Sequence, residues 1–163
     1  MGAPLGLHGH GRRERQLRGP LVPGQEPKLV VIAVRRYRCQ PCGATTTVVP
    51  RGTLPRRLFS AAAMGLALCL LGLLRLSATQ VREQISPWRC IGAAAAAGWA
   101  QLHRWTDAVG EGRLFSSVLT GPLPAARRDV AARVAVALST RCPPQLFLRS
   151  MTEQVFVGAA QAP

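Results

Sequence analysis

The hydrophobic pattern divides the chain into a front part that predicts strands and a longer part that predicts helices. Residues 28–38 begin with a β-branched run and turn basic, and residues 45–49 are β-branched again, which together predict a β-hairpin. Residues 1–27 are rich in Gly, Pro and Arg, so we expect a loop or a disordered segment there. Pro50 and Pro55 bracket a short basic linker before the helical part.

Several segments after the linker show helix-start signals and helical spacing. A capping serine precedes the first apolar run, and Ser77 opens a capping-box sequence. Ser86-Pro87 fits a further helix start, since proline suits the first helical position, and an alanine run follows it at 93–97. Besides that start, apolar spacing predicts helices over 60–74, 77–85, 99–109, 124–140 and 146–160.

The turn of the predicted hairpin contains the pair Cys39 and Cys42, followed by Gly43, which tolerates the positive φ of a tight turn. Two cysteines at this spacing can bind one zinc ion, because the turn points both sulfurs to the same side. A redox dithiol and ordinary buried thiols are the alternatives. Strand-like flanks favour the zinc-type turn, because a redox motif should open a helix.

A structural zinc ion needs four ligands, and this turn supplies half of them. The nearby candidates are His8 and His10, which we interpret as solvated residues of a Gly-rich loop. Zinc is therefore the expected cofactor. Cys39 and Cys42 are its candidate ligands, and they make up half of a zinc site.

Together these patterns predict a mainly α protein: a small helical helix-turn-helix bundle preceded by a short zinc-ribbon-like β-hairpin. The predicted parts are a basic segment at 1–27, a half zinc-ribbon-like hairpin with its linker at 28–57, a helix-turn-helix-like domain at 58–110 and a helical extension at 111–163.

The charge of the chain points to a polyanionic partner. The formal net charge is +14 over 163 residues, and Lys28 is the single lysine among 21 basic residues. The planar guanidinium group of arginine binds phosphate through two hydrogen bonds. A small protein with this much positive charge usually binds nucleic acid or an anionic membrane surface. A GC-rich genome would favour arginine codons, but it does not explain the shortage of acids. Basic character is strongest in 1–57, with 11 basic residues against 2 acids.

Cysteine usage and the lack of catalytic groupings narrow the class of protein. Five cysteines, scattered apart from one pair, indicate a reducing compartment, and the first residues lack a signal-peptide core, so we expect a cytoplasmic protein. None of the seven acids sits in an apolar strand-like run, and no phosphate loop or Ser/His/Asp grouping occurs. We therefore expect no enzymatic activity.

The helices at 58–109 have the pattern of a helix-turn-helix core. In the last of them the apolar side would pack inward, leaving Gln101, His103 and Arg104 to face a groove of DNA. An ordinary three-helix bundle with a solvated face is the alternative, and the charge favours DNA. The uncharged stretch 58–74 is also at the short limit for a membrane span, although its alanines, Gly65 and Gly72 argue against one.

These residues resemble a known family. The run Arg36-Tyr37-Arg38-Cys39-x-x-Cys42-Gly43-x-Thr45 resembles the second knuckle of the zinc ribbon that opens many bacterial insertion-sequence transposases. The helices of 58–109 resemble the adjoining helix-turn-helix, and Trp99-x-x-Leu102-x-Arg104-Trp105 is similar to the end of its recognition helix. Related uncharacterised bacterial proteins share this layout, which covers roughly 28–110.

Two departures from that family shape the expectation. The first Cys-x-x-Cys of such ribbons is missing, so either the true start lies upstream or the ribbon has decayed. The nuclease core with its three carboxylates is missing as well, so the resemblance implies DNA binding without strand cleavage.

We therefore expect a DNA-binding protein, sequence-specific or non-specific, that resembles a transposase N-terminal region. DNA is the expected partner, a homodimer is left open, and a membrane partner is not favoured. The alternatives are a small membrane-associated protein anchored by 58–74, an interaction module, or a non-functional gene remnant. Phosphate contacts are expected from five arginines and groove contacts from three residues of the last helix: Arg35, Arg36, Arg38, Arg56 and Arg57, then Gln101, His103 and Arg104.

Overall fold

A computed structural model of the protein describes residues 6–89 and 99–162. This part of the chain contains one antiparallel sheet in the order β1-β2-β3, followed by helices and two short 3-10 turns, Ser116–Val118 and Pro144–Leu146. The elements are β1 (Leu7–Gly19), β2 (Lys28–Cys39), β3 (Thr45–Val48), α1 (Ala61–Gly72), α2 (Ala78–Ile85), α3 (Ala100–Gly110), α4 (Arg127–Ser139) and α5 (Met151–Gln161).

The prediction of a mainly α fold is wrong, because the protein is a mixed α/β domain. The expected loop at 1–27 instead contains β1, a strand of 13 residues that pairs with β2 from Leu7 opposite Cys39 to Gly19 opposite Lys28. Its sequence has little strand propensity, so the strand depends on backbone pairing with β2. A bulge between Gly9 and Arg12 interrupts the pairing in the glycine-rich part of this strand.

The hairpin of β2 and β3 forms where the sequence predicts it. Arg38 pairs with Thr45, and the Cys39 amide donates to the Ala44 carbonyl at 2.8 Å. Gly43 has a φ of 70° in this turn, which is the conformation expected of a glycine there. Every residue from Gln40 to Val48 is exposed, so this end of the sheet stands clear of the helices.

Local caps fix the starts of α1 and α2, as the sequence predicts. The Ser60 hydroxyl accepts from the Ala63 amide at 3.0 Å. Ser77 and Gln80 form a reciprocal capping box at the start of α2. The alanine run 93–97, which was expected to follow a helix start at Ser86-Pro87, lies outside the described residues.

Helix α1 is the centre of the helical layer. Eleven of its 12 residues are buried, and its largest contacts are with α4 and α5. Helices on both sides of the predicted domain boundary at residue 110 therefore share one core. The stretch 58–74, for which a membrane anchor is the alternative prediction, is largely this short helix. No helix among the described residues is long and apolar enough to cross a membrane.

The sheet joins the helices through the segment that precedes α1. The Arg18 amide donates to the Leu58 carbonyl at 2.8 Å, and Arg18 forms a bridge with Phe59. Leu17 and Val34 are buried at this end of the sheet. This connection places a basic sheet beside the start of the helical layer.

Candidate nucleic-acid interface

A groove opens between the segment before α1 and the first turns of α3. We call it the basic groove, and its volume is about 320 Å³. Four of the residues predicted to contact DNA come together in it, in two pairs that lie more than 40 positions apart in the sequence. It is lined by Arg56, Arg57, Leu58, Phe59, Gln101, Arg104 and Trp105.

Three aromatic rings fix the two walls of the basic groove to each other. Phe59 lies 5.0 Å from Trp105 and 6.1 Å from Trp99, and the two indoles are 5.1 Å apart, all edge-to-face. Such pairs stabilise a contact beyond the area they bury. Trp105 is 1% exposed. It therefore supports the groove from below and offers no open face on which a base could stack.

A side chain from β1 holds the linker in place beneath the basic groove. The Arg15 guanidinium donates to the backbone carbonyls of Leu54 and Arg57. Arg56 between them has a φ of 57°, a left-handed conformation that is uncommon for a non-glycine residue. Strained backbone of this kind persists where the surroundings over-determine it, and it is concentrated at functional sites.

The guanidinium groups of the basic groove have no carboxylate partner among residues 6–89 and 99–162. Arg104 donates to the Gln101 side-chain oxygen at 3.1 Å, which leaves its charge uncompensated. Arg56 and Arg57 form no ion pair within these two ranges. The ion pairs in the described part of the chain are Arg75–Asp129, Arg113–Glu111 and Arg127–Asp107.

His103, predicted to face DNA with Gln101 and Arg104, lies outside the lining of the basic groove. It faces Asp107 one turn further along α3. Two hydrogen bonds from Arg127, at 2.7 and 3.0 Å, hold the pKa of Asp107 below its usual range, and charge on His103 adds to the effect. The structure therefore separates His103 from the other two residues.

The three arginines predicted on β2 do not lie on one face of the sheet. Side chains alternate between the faces of a strand, so Arg36 and Arg38 share one face and Arg35 lies on the other. Arg35 pairs with Arg12 across the sheet, and both border a hollow beside the bulge. A single anionic ligand on one face cannot contact all three.

The cysteine pair forms a turn in which the two thiols differ in exposure. Cys39 is half-buried and Cys42 is exposed. The backbone amide of Ala44 and the Cys39 side chain hold the pKa of the Cys42 thiol below its usual value. Such stabilisation of a thiolate is useful both to a metal ligand and to a nucleophile.

The described residues do not complete a zinc site around this pair. No group of three His, Cys, Asp or Glu side chains that could hold a metal ion occurs among them. His8 pairs with Arg38, so its side chain lies on the face of the sheet opposite to Cys39. A closed zinc site needs four ligands, and two are in place.

Sequence analysis missed two parts of this site. Arg15 falls in the segment that was expected to be a loop, and the period-two spacing of Arg13, Arg15 and Leu17 is the signal that could have placed it on a strand. The packing of Phe59 on Trp99 and Trp105 joins distant segments, and no local pattern predicts it. Comparison of the chain with known protein families, with curated proteins and with solved structures finds no match.

Proposed function

We propose that this protein binds nucleic acid through the basic groove, by contacts to backbone phosphates and without any chemical step. The observation that supports this most directly is the meeting of Arg56, Arg57 and Arg104 around one groove, with no carboxylate partner among the described residues. A net charge of +14 strengthens the attraction over a longer range.

Each groove residue has a role that follows from its chemistry. A guanidinium presents donors in a planar fork that matches two phosphate oxygens. The Gln101 amide is oriented by Arg104 and can accept or donate at the edge of the bound strand. Because no acid–base pair among the described residues adjoins the groove, we propose a binding protein rather than an enzyme.

The transposase-like resemblance favours DNA over other polyanions, and we propose that the chain acts as a DNA-binding front end without a nuclease core. Cys39, Cys42, Cys69 and Cys142 are free thiols in the described part of the chain. Free thiols persist in a reducing compartment, which supports the proposal of a cytoplasmic location for this activity.

Equilibrium binding of the full chain to a short synthetic DNA duplex tests the proposal. Because bound phosphates release counterions, the logarithm of the affinity should fall linearly with the logarithm of salt between about 50 and 200 mM. The double variant R56Q/R104Q should weaken binding and reduce that slope by about two, roughly one for each phosphate that is no longer neutralised.

A matched control removes the same charge elsewhere. Arg113 pairs with Glu111 beyond the end of α3, and Arg149 is exposed before α5. The double variant R113Q/R149Q should keep the parental slope. An affinity that does not change with salt, or equal weakening in both double variants, would refute the proposal.

A further inference from the structure

The two faces of the sheet differ in chemistry at the end that stands clear of the helices. Directly paired residues of antiparallel strands share a face. Arg36 pairs with Thr47 and Arg38 pairs with Thr45, so four polar side chains lie together. Arg13 pairs with Val34, which is buried, so Arg13 lies on the same face at the point where the sheet begins to pack against the rest of the protein. We call this surface the basic sheet face: Arg13, Arg36, Arg38, Thr45 and Thr47.

The opposite face of the sheet mixes polar and apolar side chains and carries an acid. It holds Arg12, Glu14, Gln16, Arg18 and Arg35, and Arg12 and Arg35 border the hollow beside the bulge. On the same face Leu29 is 43% exposed, Val31 is 56% exposed and Val48 is 55% exposed. Glu14 repels phosphate, and exposed leucine and valine side chains gain nothing from contact with it, so this face is the weaker candidate for a nucleic acid.

The basic sheet face leads into the basic groove. Arg15 lies on the same face as Arg13, two positions further along β1, and its guanidinium is bound to the backbone of the groove wall at Arg57. Two positions along a strand span about 6.6 Å. The arginines of the sheet therefore continue the positive surface of the basic groove on the same side of the protein.

Aromatic placement argues for a duplex ligand. Proteins that hold single strands stack bases on exposed aromatic rings. Tyr37 lies on the opposite face of the sheet, and Phe59, Trp99 and Trp105 are buried. The basic sheet face therefore offers arginine and threonine side chains and, among the described residues, no ring on which a base could stack.

The width of the sheet argues for the major groove of DNA. This groove is about 12 Å wide and admits a β-ribbon, whereas the major groove of double-stranded RNA is too narrow for side chains to enter. Arg36 and Arg38 lie on the middle strand, where β3 pairs with β2, so the sheet there is three strands wide and spans about 9.6 Å between its outer strands. Arginine can make bidentate contacts to guanine there, and threonine can contact bases through its hydroxyl or methyl group.

We infer that the basic sheet face enters the major groove of double-stranded DNA while the basic groove holds phosphates of the adjoining backbone. This inference rests on the function proposed above and names the ligand and the element that contacts its bases. It moves the base contacts from the recognition helix expected in the sequence to the sheet.

The alternation of side chains provides a matched pair of variants for the test. R36Q/R38Q removes two charges from the basic sheet face, and R12Q/R35Q removes two charges from the same strands on the opposite face. We expect R36Q/R38Q to weaken duplex binding by about tenfold or more. R12Q/R35Q should stay within about twofold of the parent, since it removes no direct contact. Melting temperatures of both variants confirm that they fold.

The location on the duplex is measured separately. Bound protein should protect guanine N7 atoms of the major groove from methylation in the parent, and R36Q/R38Q should abolish this protection. Equal weakening in both double variants, weakening confined to R12Q/R35Q, tighter binding of a single strand, or absence of guanine protection would each overturn the inference.

These outcomes are distinct from failure of the proposed function. If the parent shows no salt-dependent binding to nucleic acid, the proposed function itself fails. If the parent binds and R56Q/R104Q weakens it while R36Q/R38Q does not, the basic groove is supported and the role of the sheet face is overturned.

Discussion

At the residue scale, the cysteines differ in the pKa of their thiols. The Ala44 amide and the Cys39 side chain lower the pKa of Cys42, whereas burial raises the pKa of Cys69 to about 11. The thiolate is the nucleophile, so a thiol of lowered pKa reacts at lower pH. We expect iodoacetamide to modify Cys42 with a half-maximal rate at a pH below that of free cysteine, and to leave Cys69 unmodified until the protein unfolds.

Peptide mass mapping across a pH series measures both rates. In the variant Cys39→Ala, the pH profile of Cys42 should move upward only part of the way, because the Ala44 amide is the larger cause and remains. A Cys42 profile identical to that of free cysteine would contradict the turn geometry. If added zinc protects Cys42 in the parent and not in the variant, the pair binds the metal despite the incomplete ligand set.

At the element scale, two glycines allow helices to approach closely. A methyl group at Gly72 would overlap the backbone of Ala131 and Ala132 in α4, and one at Gly158 would overlap the carbonyl of Leu138. Overpacking of this kind typically costs about 1 to 3 kcal/mol. Gly72→Ala and Gly158→Ala should each lower the free energy of unfolding by that amount, as measured by urea denaturation.

Gly110 supplies the control for these variants. It is the last residue of α3, and a methyl group added there meets nothing within 4 Å. Because alanine is the better helix former by up to about 1 kcal/mol, Gly110→Ala should be neutral or slightly stabilising. An unchanged urea midpoint for Gly72→Ala would show that α1 and α4 are not packed as closely as described.

The elements also show what sequence reasoning can reach. The starts of α1 and α2 are predictable because Ser60 and Ser77 bind amides three residues away. Strand β1 was missed because its stabilisation comes from β2, and no local signal in a Gly- and Arg-rich segment outweighs the expectation of a loop. The mainly α prediction failed at this element.

The candidate site was predictable only in its residue types. Charge and helical spacing single out Arg56, Arg57, Gln101 and Arg104, and the structure brings them together. These residues come together because aromatic side chains of distant segments pack against each other. Residue spacing in the sequence does not predict such packing. The same rules grouped Arg35 with its neighbours, although strand alternation alone would have separated it.

At the scale of the whole molecule, the helices of the described part of the chain share one core around α1. The predicted division at residue 110 would leave α1 without α4 and α5, the two helices against which it packs most extensively. Small domains bury too little surface to tolerate such a truncation. A chain ending at Gly112 should therefore lack a cooperative thermal transition and the near-ultraviolet circular dichroism of packed tryptophans.

This truncation also tests whether the shape of the groove matters in DNA binding, although the six arginines and two acids of residues 113–163 are lost with it. The truncated chain keeps every arginine of the basic groove, but it lacks Arg127, whose ion pair with Asp107 ties α3 to α4. If a fixed groove matters, the fragment should bind DNA more weakly than the full chain at equal salt, even though all the groove charges remain. Cooperative unfolding of the fragment would instead support residues 58–110 as an independent domain. Undiminished DNA affinity in a fragment that does not unfold cooperatively would show that charge alone, without the shape of the groove, accounts for binding.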